Sequence, residues 1–113
     1  MSRAMYYVYI LRCTGDQLYT GITTDVTRRV RQHLGQIRGG AKYTASHPPR
    51  AIAMVWQAPD QPAAARLERA VKGLKRRDKD RLLADPALLG TLCPSVEPGI
   101  YAPRPDLTAE TIE

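Results

Sequence analysis

The sequence predicts an α+β fold, a small three-stranded antiparallel sheet flanked by helices, and three observations carry that prediction. Two runs rich in β-branched and aromatic residues lie on either side of a short turn signal. A third run of the same kind follows about thirty residues later. The intervening and following segments instead place apolar residues at helical spacing. The order β-β-α-β-α-α suits one sheet with helices packed against it. With 113 residues, 43% of them hydrophobic, the chain has the size of one domain and can bury a core without disulfide or metal staples.

Residues 6–12 (YYVYILR) form the first expected strand and residues 18–22 (LYTGI) the second, with turn chemistry at Thr14-Gly15-Asp16 between them. Tyr7 and Tyr9 share one face of the first strand, and Tyr19 and Gly21 share one face of the second. Tyr9 and Tyr19 meet only if paired residue numbers sum to an even value. A three-residue turn at 14–16 gives that register, whereas a two-residue turn at Gly15-Asp16 separates the two rings. A helix then opens at Thr24 or Asp25, both good N-caps, with Val26, Val30, Leu34 and Ile37 as its buried stripe. Gly39-Gly40 is its expected end, followed by a loop through Pro48-Pro49.

Residues 51–58 (AIAMVWQA) read as the third strand. The next helix starts near Pro62, a favoured first-turn residue, and turns Leu67, Ala70, Val71 and Leu74 inward. Asp78 is expected to cap a short helix over 79–84 that carries Leu82 and Leu83. Pro94, Pro98, Pro103 and Pro105 then crowd a stretch with little apolar periodicity. The expected organisation is therefore a domain over 1–88 and a Pro-rich tail over 89–113, irregular and either mobile in part or laid along the surface.

The formal charge of +6 favours polyanionic partners, since each cation near a phosphate releases condensed counterions. No apolar run approaches the length of a membrane span, and the first residues do not read as a signal peptide, so the expected location is cytoplasmic. Cys13 and Cys93 lack metal-ligand spacing; Cys13, inside a strand-like run, reads as a small core residue, and both read as structural or incidental thiols in a reducing compartment. Ser46 and His47 do not form a convincing nucleophile pair, and no Gly-rich phosphate loop is present.

Arg29 and His33 lie one turn apart beside the Val26/Val30 stripe. A guanidinium fork grips two phosphate oxygens and an imidazole can shuttle a proton, although Arg29 could equally pair with Asp25 one turn back. Glu68 borders the apolar face of the later helix, where a carboxylate suits Mg2+ or Mn2+; the plainer reading is an i,i+4 pair with Lys72. Lys72, Lys75, Arg76, Arg77, Lys79 and Arg81 form the densest basic stretch, either a solvated helical face or a track for a nucleic-acid backbone.

Taken together, Tyr7-Val8-Tyr9, then Tyr19-Thr20-Gly21, then Arg28-Arg29 with His33, resemble the GIY-YIG nuclease superfamily, closest to its small stand-alone bacterial branch. The similarity continues through Gly40-Ala41-Lys42-Tyr43-Thr44 to the helix of Glu68 and spans roughly residues 6–83. Tyr7, Val8 and Thr20 depart from the motif letters at backbone or packing positions. The resemblance implies a metal-dependent DNA endonuclease, a phosphodiester hydrolase in repair or recombination, with Tyr9, Tyr19, Arg29 and His33 as catalytic residues. It implies that Glu68 binds Mg2+ or Mn2+ and that Lys42 and Tyr43, in the loop bordering the site, contact nucleic acid; Lys72 and Lys75 are added as nucleic-acid contacts on the reading of the basic stretch as a backbone track. In that scheme Glu68 holds the ion on the scissile phosphate, Arg29 binds a non-bridging oxygen and a tyrosine takes the water proton. Tyr9 is preferred as base with Tyr19 positioning, and the reverse order is open. The alternative is a non-catalytic nucleic-acid-binding module on the same scaffold.

Overall fold

In a computed structural model of the protein, residues 5–39, 42–109, 111 and 112 are described; of Lys42 and Tyr43 only the backbone is. Strand β1 (Tyr6–Cys13) and strand β2 (Gln17–Thr23) pair antiparallel, Tyr7 against Thr23 through Cys13 against Gln17. Every pair sums to an even number, so the turn has three residues and Tyr9 and Tyr19 share a face. Gly15 and Asp16 occupy the left-handed region there, with φ 79° and 58°.

Helix α1 (Val26–His33) starts at Asp25, whose carboxylate accepts from the Arg28 N–H. It ends a turn earlier than the sequence suggests. Gly35, at φ 77°, takes the left-handed position just past the helix; its N–H donates to the Gln32 carbonyl and the Gln36 N–H to that of Arg31. That Schellman closure satisfies the last carbonyls, so Gly39 lies outside the helix, and Gly40 is outside the described residues. A short helix α2 (Lys42–Ser46) interrupts the expected loop.

Strand β3 (Pro49–Ala58) pairs with the other side of β1, making β1 the middle of the sheet. The register steps from Ile10–Met54 to Leu11–Ile52, leaving Ala53 as the extra residue of a bulge. Helix α3 (Gln61–Lys72) is capped by Asp60, with Pro62 in the first turn. Helix α4 (Arg76–Ala84) begins before Asp78, contrary to the expected cap. Asp78 sits in its first turn, favourable for an acid near a helix N-terminus, and pairs with Arg81 at 3.1 Å.

The sheet has four strands, in the order β2-β1-β3-β4, one more than expected. Strand β4 (Ala102–Pro103) comes from the Pro-rich stretch and pairs with Trp56 and Gln57 on β3. A proline is tolerated there because β4 is an edge. Helix α5 (Leu89–Leu92) precedes it, and Leu89, Cys93, Val96 and Tyr101 are buried in the main core. The Tyr101 hydroxyl donates to the Ala63 carbonyl at 2.6 Å. Residues past 88 are therefore built into the domain, through apolar side chains too widely spaced to register as periodicity.

Two apolar layers result. Val8, Ile10, Met54 and Trp56 face α3, α4 and α5, with Leu67, Val71 and Leu82 fully buried between them. Tyr9, Leu11, Cys13 and Val55 face the other way, against Val26 and Val30 of α1. Cys13 and Cys93 lie in different layers, both buried and free. Among the described residues no helix is long and apolar enough to cross a membrane.

Candidate active site

Pairing register puts the Tyr9 and Tyr19 rings on the α1 face of the hairpin, with centroids 6.4 Å apart. Helical spacing puts His33 over them: its ring lies 5.8 Å from that of Tyr9 and 5.0 Å, edge-on, from that of Tyr19. Tyr9 is almost fully buried and its hydroxyl meets His33 Nε2 at 2.8 Å. Gly21, the cross-strand partner of Tyr9, makes this possible. A Cβ on Gly21 would lie 2.7 Å from Tyr9 Cζ and 3.2 Å from Tyr19 Cε1, so the phenol occupies the space a side chain would need.

Burial dominates the ionisation of this group. It pushes the Tyr9 phenol up to about 12, aided by Tyr19 and Glu68 and opposed by the adjacent Arg29 guanidinium. It also pulls His33 down to about 4, with Arg29 repulsion adding to the effect. At neutral pH the pair is a protonated phenol beside an uncharged imidazole. The other ring nitrogen, Nδ1, lies 2.8 Å from the hydroxyl of Thr44 on α2, itself buried.

Arg29 does not pair with Asp25, whose carboxylate is taken by the helix cap. Its Nη1 instead donates to Gln32 Oε1 at 2.8 Å and to the Gly39 carbonyl. Gly39 has φ 109°, and a Cβ there would press on the Gln32 amide. A guanidinium has five N–H donors, so this anchoring through Nη1 leaves others free to face the Tyr9 hydroxyl beside it.

Glu68 belongs to the other layer. Helix α3 packs on the opposite face of the sheet but runs against β2, the edge strand, and Glu68 adjoins the buried Leu67 on that helix. Its charge is felt by the Tyr9 phenol. Glu68 also makes the plainer contact expected of it, a 3.4 Å ion pair with the more exposed Lys72. Among the described residues no three His, Cys, Asp or Glu side chains gather around one point.

Of the basic stretch, Arg76 is committed to structure, bridging Asp80 and the hairpin turn at Asp16, and Arg81 pairs with Asp78. Lys72 and Lys75 are exposed where α3 gives way to α4. The side chains of Lys42 and Tyr43 lie outside the described residues. Sequence reading missed three contributors. Gly21 carried a signal, a glycine inside a strand, and Gln32 sits one turn from Arg29; Thr44 had none beyond its place in the motif run.

The GIY-YIG catalytic domain family matches residues 5–81. The UPF0213 protein BH0048 of Halalkalibacterium halodurans is 43% identical over 79 residues, covering 70% of this chain and 82% of that protein. A UPF0213 protein of Yersinia pestis is 41% identical over 93 residues, covering 81% and 96%. The solution NMR structure of BH0048 superposes with a TM-score of 0.46 at 38% identity over 71% of this chain and 83% of that one. The chain belongs to the GIY-YIG family of nuclease domains and is similar to the UPF0213 proteins within it.

Proposed function

We propose that the protein is a metal-dependent endonuclease that hydrolyses phosphodiester bonds in DNA. One observation carries this reading: a buried Tyr9–His33 hydrogen bond at 2.8 Å, with Tyr19 and Arg29 beside it and the charge of Glu68 within reach. A buried phenol needs an acceptor in any case; what points to chemistry is that the acceptor is an imidazole able to take up a proton, with a guanidinium and a second phenol beside it.

The donor set suits a hard cation that keeps its waters. A single carboxylate such as Glu68 does not make a zinc site, but Mg2+ and Mn2+ commonly bind through one or two carboxylates and complete their shell with water and substrate phosphate. Bound at Glu68, the ion would supply Lewis-acid stabilisation of the phosphate and its leaving oxygen. The remaining work falls to the chain. Arg29, its Nη1 anchored by Gln32 and Gly39, presents its other donors to a non-bridging oxygen whose charge must be accommodated in the transition state. Tyr9 takes a proton from the attacking water while passing its own to His33 Nε2, as the phosphorus–oxygen bond to the leaving group breaks. This relay never requires a free phenolate, which a phenol titrating near about 12 would supply only sparsely. Tyr19 packs edge-on against His33 and positions the water or phosphate. Lys72 and Lys75 extend the cationic surface along the backbone of the nucleic acid.

The test is a nicking assay on duplex, nicked, branched and single-stranded DNA and on RNA, with and without Mg2+ or Mn2+. Arg29→Ala and Glu68→Ala are expected to remove cleavage while leaving the far-ultraviolet circular dichroism unchanged. Binding to these substrates without cation-dependent cutting would instead identify a non-catalytic nucleic-acid-binding module.

A further inference from the structure

A buried proton donor must find an acceptor, and around the Tyr9 oxygen the choice is narrow. Arg29 can only donate to it. His33 Nε2, at 2.8 Å, is an acceptor only in the tautomer that carries the ring proton on Nδ1. That proton in turn needs an oxygen. The Thr44 hydroxyl stands 2.8 Å from Nδ1, and Thr44 is about 1% exposed. Of the α2 side chains described, only Thr44 is buried, while Ala45 and Ser46 face solvent. The short helix thus delivers one oxygen to one ring nitrogen.

We propose that Thr44 is a positioning residue of the site: by accepting the Nδ1–H of His33, it commits the imidazole to the tautomer whose bare Nε2 receives the Tyr9 hydroxyl. The kinetic consequence rests on the nuclease reading above; the tautomer does not. Threonine suits the task because its branched Cβ restricts χ1 and holds the hydroxyl in one direction. Valine fills nearly the same volume and offers no acceptor.

The experiment uses the full chain labelled with 15N, and reads the His33 ring by long-range proton–nitrogen correlation in the unsubstituted protein, Thr44→Val and Thr44→Ser. Cation-dependent DNA nicking is measured on the same samples. The expected result is a single Nδ1–H tautomer in the unsubstituted protein and in Thr44→Ser. Thr44→Val is expected to lose that single form and to cut between about tenfold and a hundredfold more slowly, the range typical of lost orienting partners, with Thr44→Ser restoring the rate. A merely structural role would lower thermal stability without moving the ring nitrogens of the folded protein. An Nε2–H tautomer in the unsubstituted protein, or an unchanged tautomer in folded Thr44→Val, overturns the proposal. Should Thr44→Val fail to fold, the ring spectra of the unsubstituted protein and of Thr44→Ser decide it. Absence of cutting by the unsubstituted protein would count against the nuclease reading alone, and the ring spectra would still settle the placement of Thr44.

Discussion

Gly21→Ala adds one methyl group where the site is tightest. The new Cβ would start 2.7 Å from Tyr9 Cζ and 3.2 Å from Tyr19 Cε1. Ordinary carbon–carbon contact is roughly 3.5–4 Å, so the Tyr9 ring must retreat by about 1 Å. The ring sits in a full layer with Val26, Val30 and Val55, so it cannot retreat freely. Overpacking of this kind costs about 1–3 kcal/mol, a fall in Tm of roughly 4–15 °C for a domain of this size. A displacement of about 1 Å also stretches the 2.8 Å bond between Tyr9 and His33 beyond hydrogen-bonding range. Misplacement on that scale lowers catalytic rates by about a hundredfold. Gly35→Ala is the control. Gly35 has a positive φ but nothing within contact of a Cβ, so that variant loses about 1–2 kcal/mol of stability through backbone strain and leaves the site alone. Thermal melts and nicking rates on both variants separate the two effects. If Gly21→Ala keeps its Tm and its cutting rate, Tyr9 is not held as described.

Further outcomes follow from the same contacts. Because His33 titrates near about 4 when folded and near about 6.5 when unfolded, the unfolded chain binds the extra proton between those values. The contribution is present above about pH 6.5 and is lost as the pH falls towards 4, so urea midpoints should decline across that window. In His33→Gln this slope should vanish, and an identical slope would place the titration elsewhere. Lys72→Ala and Lys75→Ala should each lower the dependence of DNA binding on log salt by about one, uniformly across sequences, as fluorescence anisotropy can measure. Truncation after residue 88 removes Leu89, Cys93, Val96 and Tyr101 from the core and is expected to abolish cooperative unfolding. A truncated chain that melts like the full one would show that these residues are dispensable.

The candidate site was legible in the sequence to an uneven degree. Tyr9 and Tyr19 could be placed on one face from strand parity once a three-residue turn was chosen, and Arg29 and His33 on one side of a helix from spacing alone. Glu68 was legible only as a residue beside an apolar stripe. Which strand α3 runs against, and so which side of the sheet Glu68 lies on, depends on how α3 crosses the sheet, which no local pattern encodes. Gly35 and Gly39 show the same limit. Both are glycines with positive φ after α1, and the closing hydrogen bonds to Gln32 and Arg31 select the earlier one as the helix end. Gly39 serves instead to let the loop reach Arg29.

What the sequence determined by itself was set by neighbours a few residues apart: the hairpin, the helix starts near Asp25 and Pro62, the apolar faces and the basic balance. Those follow from torsional preference and side-chain period, which act within one or two turns of chain. Tertiary structure alone decided the fourth strand, the Tyr9–His33–Thr44 chain and the neutrality of its imidazole. These depend on burial and on partners distant in sequence. An acceptor 24 residues away, as His33 is from Tyr9, becomes one only when packing removes the water that would otherwise take its place.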